Sequence, residues 1–252
     1  MRLRAENLSK RFGGVAAVQD VGFDLEPGVV HSIIGPNGAG KTTLLNLLSG
    51  IYRADSGSIV LDDTELSGRA PHEFAIAGVG RTFQNLQVFF NMTALENVMV
   101  GRWQHERCNL VSALLRLPRM AREERRCREA AYELLEFVGL AVWASRDADS
   151  MPYGALKRLE IARALAARPK FLLLDEPAAG LNPTETLDID RLIREVAARD
   201  ITVVLVEHNM KLVMEVSQHV VVLDYGRKLA EGDPKTVSAD PRVIEAYLGC
   251  SA

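Results

Sequence analysis

Gly35, Gly40, Lys41 and Thr42 stand in the spacing G-x-x-x-x-G-K-[ST] within the run Ser32-Ile33-Ile34-Gly35-Pro36-Asn37-Gly38-Ala39-Gly40-Lys41-Thr42-Thr43-Leu44-Leu45. Residues of these types in this order can hold a polyphosphate. Glycines let backbone N–H groups turn inward around the anion without a Cβ in the way, and Lys41 reaches the β and γ phosphates. The Thr42 hydroxyl is suited to Mg²⁺, and a helix running on from Thr43 points its positive dipole end and its unpaired N–H groups at the same anion. Taken alone, the run is also compatible with a plain Gly-rich turn before a helix, or with an unrelated P-loop nucleotidase.

Other chemistry-bearing residues follow apolar runs. Phe171-Leu172-Leu173-Leu174 ends in Asp175 and Glu176, and Ile201-Thr202-Val203-Val204-Leu205-Val206 ends in Glu207 and His208. Asp175 is placed to hold the Mg²⁺ that Thr42 touches, and Glu176 to orient or deprotonate a water for in-line attack on the γ-phosphate. His208, beyond the same sheet, reads as a γ-phosphate contact that also positions Glu176, rather than as a satisfied core histidine. Gln84 closes the segment Val79-Gly80-Arg81-Thr82-Phe83-Gln84, expected to be a strand. Its amide oxygen suits Mg²⁺ or the attacking water, and its place at the join to a helical lobe would let it report nucleotide state there.

These residues converge if the uninterrupted apolar runs, separated by helices, form a parallel sheet covered on both faces. Ligands of such sheets sit beyond the carboxyl ends of the strands. Ahead of that core, Leu3 to Leu25 reads as antiparallel sheet. Phe12, before Gly13-Gly14, is there either a half-buried strand residue or a platform that stacks on a base. Gly50 closes the phosphate-loop helix, and Pro71 opens a short one. Thr93 and Glu96 form a capping box. Two more helices are expected over Leu110–Leu117 and around Cys127, Ala131, Leu134 and Val138. Residues 85–158 thus read as a helical insertion between the halves 1–84 and 159–252 of one α/β core. Arg116, Arg119, Arg122, Arg125, Arg126 and Arg128 crowd the insertion, as a solvated face among Glu neighbours or as a contact for anionic headgroups or a membrane partner.

The 252 residues are 48% hydrophobic, ample for a packed core, and a net charge of −3 gives no reason to expect nucleic acid as a partner. Cys108, Cys127 and Cys250 are too scattered for a zinc set and read as reduced bystanders of a cytosolic protein. No signal peptide and no run of about eighteen apolar residues is present, so the chain is not expected to span a membrane, which says nothing against its docking on a partner that does.

In the order and spacing of G-P-N-G-A-G-K-T-T, R-T-F-Q-N, L-L-L-D-E-P, A-A-G-L-N and V-E-H, essentially the whole chain resembles the ATP-binding cassette (ABC) ATPases. F-G-G-V-A-A-V, E-N-V-M-V-G, V-L-D-Y-G-R-K and D-P-R-V-I-E-A-Y-L-G are most similar to the LivG-type ATPase subunits of bacterial branched-chain amino-acid importers. The resemblance implies a RecA-like P-loop NTPase core with an N-terminal antiparallel β subdomain and an inserted α-helical subdomain. It implies ATP and Mg²⁺ as cofactors, with Phe12, Val18 and the loop Gly35, Pro36, Asn37, Gly38, Ala39, Gly40, Lys41, Thr42 and Thr43 on the nucleotide. Thr42, Gln84 and Asp175 would serve the metal, and Glu176, His208, Gln84 and Lys41 the hydrolysis. The implied partners are transmembrane permease subunits at the cytoplasmic side of the inner membrane, a second ATPase copy or paralogue in a head-to-tail dimer, and indirectly a periplasmic or extracellular binding protein.

One motif departs. Where this branch carries L-S-Y-G-Q, the chain reads Met151-Pro152-Tyr153-Gly154-Ala155. The Ser hydroxyl that would meet the partner's γ-phosphate is replaced by Pro152, and the Gln by Ala155. The expected consequence is intact ATP binding with poor completion of the partner's site. Long coiled-coil insertions or tandem cassettes, usual in soluble ABC proteins of DNA repair and translation, are missing, as is a guanine-specifying N-K-x-D.

Overall fold

The computed structural model describes residues 2–103 and 118–248, so the helix expected over Leu110–Leu117, together with Cys108, Arg116 and Cys250, lies outside the described residues. The chain divides into two units, Met1–Arg81 with Lys170–Ala252, and Thr82–Pro169.

In the first unit, β1 (Leu3–Phe12) and β2 (Val15–Leu25) alternate inward apolar and outward polar residues and pair antiparallel, as period-2 patterning requires. With β4 (Ser56–Leu61) and β5 (Thr64–Glu65) they form a four-stranded sheet in the order β2-β1-β4-β5. The second sheet has the order β10-β9-β3-β8-β7-β6. Its strands β3 (Val30–Ile34), β7 (Phe171–Asp175) and β8 (Thr202–Val206) are buried at every residue, which explains the apolar runs of β7 and β8, while in β3 the polar His31 and Ser32 are buried as well. β6 (Val79–Arg81), β7, β8, β3 and β9 (His219–Asp224) run parallel, and only β10 (Arg227–Gly232) is antiparallel, paired with β9. Because β8 lies between β3 and β7, the ends that release Gly35, Asp175 and Glu207 are neighbours. Gly50, in the left-handed conformation, terminates the helix Lys41–Leu48 as expected.

β6 is shorter than the strand read from the sequence. Its last pairing is Arg81 with Leu173, and Gln84 stands beyond it in irregular chain. The second unit begins earlier and ends later than the boundaries 84/85 and 158/159 suggest. The helix Tyr153–Ala166 is continuous through residue 158, so its whole length goes with the helices it packs on.

Within that unit, Ala94–Gly101 packs against Pro118–Phe137 and against Tyr153–Ala166. Cys127, Ala131 and Leu135 are the buried residues of the middle helix, with Val138 buried just past its end, whereas Leu134, expected in the stripe, is only half-buried; Arg122, Arg125, Arg126 and Arg128 are exposed, and Arg128 pairs with Glu124 at 3.3 Å. The capping box is present: Glu96 N–H donates to Thr93 Oγ1 at 3.2 Å, and Thr93 N–H to Glu96 Oε2 at 2.9 Å. Thr93→Ala removes the acceptor of the Glu96 N–H and the hydroxyl that donates to the Glu96 carboxylate, and lowers stability by about 1 kcal/mol, read as a lower urea midpoint at unchanged m-value.

Candidate functional site

The loop Gly35–Gly40 joins β3 to the helix Lys41–Leu48 and lies against two backbone walls. A Cβ on Gly35 (φ 151°) would stand 2.1 Å from the Leu223 carbonyl oxygen, and one on Gly40 (φ 99°) 2.3 Å from that of Ala17. Only glycine permits this seating. Asn37, Gly38 and Thr42 are exposed, Pro36, Gly40 and Thr43 half-buried, and Ala39 is packed in the core. The N–H groups of the first helical turn have no acceptor within their own helix, and a Cβ on Gly38 would meet nothing within 4 Å, so the concave side is open. A helix start of this kind, open at Gly38, fits a polyphosphate.

Lys41 is buried, and its Nζ donates to the carbonyls of Gly35 at 2.7 Å and Pro36 at 2.9 Å. Burial pushes the ammonium below the ordinary lysine range, and the charges of Glu176 and Asp175 oppose that shift. Asp175 and Glu176 leave β7, separated from the β3 end that releases the loop only by β8, as convergence at one sheet edge requires. Thr42 and Asp175 supply a hydroxyl and a carboxylate, oxygen donors of the kind Mg²⁺ takes alongside phosphate and water. Among the described residues no cluster of three or more His, Cys, Asp or Glu could cage a metal without such help.

Asp175 closes β7 opposite Val206. Arg81 Nη2 donates to its Oδ2 at 3.2 Å, while Arg81 Nη1 donates to Asn46 Oδ1 at 2.7 Å and Ser49 Oγ at 2.9 Å. This buried guanidinium ties the acid to the phosphate-loop helix. Glu176 follows with φ 50°, a left-handed backbone for a residue with a side chain, and its N–H donates to the Val206 carbonyl at 2.9 Å. The turn brings Glu176 Oε1 to 2.6 Å from His208 Nε2, which donates when that nitrogen carries the proton. Glu207, 3% exposed, holds the two loops together: Oε1 accepts from Ala178 N–H at 2.9 Å, and Oε2 from His208 N–H at 3.0 Å.

Phe12 ends β1 with its ring 44% exposed, whereas Val18 is fully buried in the core; of the two, only Phe12 presents open apolar surface. Lys41, Asp175, Glu176 and His208 are thus brought together. Gln84 belongs to the other unit, where its backbone carbonyl accepts from Lys157 Nζ at 3.4 Å. There Pro152 is the N-cap residue of Tyr153–Ala166 and offers no side-chain acceptor, and Gly154 and Ala155 are buried. Arg81, Glu207, Asn46 and Ser49 were missed by reasoning from sequence. For Glu207 the one available signal was its place before His208 at the end of an apolar run.

Comparison with known proteins agrees with this geometry. The ABC transporter family matches residues 18–179, and the family described as branched-chain amino acid ATP-binding cassette transporter matches residues 227–249. A high-affinity branched-chain amino acid transport ATP-binding protein of Pseudomonas aeruginosa, BraF, is 47% identical, with 98% of this chain and 97% of the relative covered. LivG of Escherichia coli, described in the same words, is 44% identical over the same shares. Among solved structures, a nucleotide-free ATP-binding cassette from an ABC transporter superposes with a TM-score of 0.85 at 35% identity, covering 98% of this chain and 99% of the other. The ADP conformation of an ATP-binding cassette gives 0.86 at 35% identity, covering 99% of each. A loop built around glycine against two backbone walls, a buried Asp at the neighbouring strand end and a Glu held by His, carried on a chain matched nearly end to end, leave one conclusion: the chain belongs to the ABC transporter family, as one of its ATP-binding cassettes.

Proposed function

We propose that the chain is the ATP-binding subunit of an importer for branched-chain or related amino acids, hydrolysing ATP to ADP and phosphate to energise uptake. The observation that carries the reading is the Glu176–His208 contact at 2.6 Å, beside a loop whose lysine feels both Glu176 and Asp175. The loop N–H groups and Lys41 bind and orient the phosphates. Thr42 and Asp175 would hold Mg²⁺, which would supply positive charge to offset that of the phosphates. Glu176 accepts the proton of an attacking water through its carboxylate, and His208 fixes the rotamer in which it does so.

No helix among the described residues is long and apolar enough to cross a membrane. Transport by such a chain therefore calls for transmembrane permease subunits, with the cassette peripheral on the cytoplasmic face of the inner membrane, paired with a copy of itself or a paralogue, and with a binding protein acting on the far side. A second reading has its own support. Pro152 and Ala155 fit an ATP-binding module of weak hydrolysis, in which ATP serves mainly as a dimerising ligand.

Isolation of the chain with its membrane-bound companions, followed by ATP turnover with and without leucine-loaded binding protein, tests the first reading; recovery of only soluble companions would sink it. Lys41→Ala, which removes a charge-assisted donor to phosphate, is expected to weaken ATP binding about 10- to 100-fold, measured with a fluorescent nucleotide on the isolated chain.

A further inference from the structure

Phe12 does not stand alone at the front of the phosphate-loop helix. The ring of Tyr52, 37% exposed, meets it edge-on at a centroid distance of 5.2 Å and an interplanar angle of 68°. Tyr52 lies in the segment that leaves that helix, and its N–H donates to the Asn46 carbonyl at 3.0 Å. Three residues on, Asp55 grips the end of β1 twice: Oδ1 accepts from Lys10 Nζ at 2.7 Å, and Oδ2 from Arg11 N–H at 2.7 Å. Lys10 Nζ also lies 5.6 Å from the centroid of the Phe12 ring. The strand end that carries Phe12 is therefore fastened to the phosphate-loop helix through residues 46–55. The two rings, in edge-to-face contact, are both left partly open to water, so Phe12 keeps apolar surface on which a base could stack.

We propose that Tyr52 is a positioning residue of the base subsite: its ring braces Phe12 edge-on, and with Asp55 it fixes the span between the base platform and the phosphate loop. The inference rests on the reading of Phe12 as the base platform. Edge-to-face packing holds the Phe12 ring in one plane, so less side-chain freedom is lost when a purine stacks on it. The ligand class is a nucleoside polyphosphate, and the effect must appear in base recognition and not in phosphate recognition.

The test compares dissociation constants for ATP and for inorganic tripolyphosphate, by calorimetry on the full chain with Mg²⁺. Tyr52→Leu is expected to weaken ATP about 2- to 10-fold and to leave tripolyphosphate unchanged, with Tyr52→Phe restoring ATP binding. In a Phe12→Leu background, Tyr52→Leu should add nothing further. Equal weakening of both ligands would assign Tyr52 a purely structural role and overturn the inference, as would unchanged ATP binding in Tyr52→Leu when Phe12→Leu weakens it. If Phe12→Leu itself leaves the ATP-to-tripolyphosphate ratio unaltered, the platform reading fails, and that result is distinct from a failure of Tyr52 alone. Should Tyr52→Leu not fold, Asp55→Asn loosens the same strand end from the same segment. A smaller shift of the same ratio supports the proposal, and no shift overturns it.

Discussion

Glu176→Gln lowers ATP turnover about 10²- to 10⁴-fold, the range lost with a general base, while ATP affinity stays within about threefold because the phosphate cradle is untouched. The substitution is close to isosteric, and its carbonyl oxygen can still accept from His208 Nε2, which stands 2.6 Å from Glu176 Oε1. What disappears is the charge and the capacity to take a proton from water. Glu176 sits in a left-handed turn at φ 50°, held by its N–H bond to Val206. The side chain is thus aimed by backbone that a Gln inherits unchanged. Single-turnover kinetics of the chain with its membrane companions, set beside fluorescent-nucleotide titration, separate the two quantities. Parallel loss of binding and turnover would mean that Glu176 supports the site's shape rather than the water. His208→Ala should fall between wild type and Glu176→Gln, since it frees the rotamer of the carboxylate without removing it.

The parts of this site that could be read from the sequence are those carried by local pattern. Four residues at fixed spacing, Gly35, Gly40, Lys41 and Thr42, define the phosphate loop, and apolar runs ending in Asp175 and His208 declare strands whose ends must meet ligand. The helix cap at Thr93 and the stop at Gly50 are also local, and both are present. What escaped is set by side chains that meet across long stretches of chain. Arg81 reaches Asp175 from 94 residues away, and Glu207 reaches the Ala178 N–H across 29. No periodicity encodes such partners, because each of these residues is individually compatible with an ordinary solvated position. The left-handed backbone at Glu176 is invisible for another reason: nothing in a Glu signals positive φ, which is normally the province of Gly or Asn. The boundary 158/159 falls inside the helix Tyr153–Ala166, which contains both the signature text and the apolar residues that resume after it.

Pro152→Ser combined with Ala155→Gln is expected to raise turnover by about 10²- to 10³-fold, the size of effect that one preorganised donor to a developing charge supplies. Pro152 occupies the N-cap of Tyr153–Ala166 with φ −65° and ψ 155°, the extended geometry a Ser cap adopts, so the helix already has the shape the serine needs. Its ring offers neither an acceptor to the first-turn N–H groups nor a hydroxyl to a phosphate presented by a partner cassette. Restoring Ser therefore acts twice, stabilising the helix start by about 1 kcal/mol and supplying the donor. Ala155 is less simple. It is 1% exposed, so a Gln there must displace packed neighbours before its amide can serve, and Ala155→Gln alone is expected to lower the melting temperature with little gain in turnover. Pro152→Ser alone should then carry most of the gain. Melting temperatures of the single variants report the cap and the crowding, whereas turnover in the reconstituted transporter reports the phosphate contact. If Pro152→Ser raises the melting temperature and leaves turnover where it was, the helix start bears no charge-stabilising role, and the slow-hydrolysis reading loses its cause.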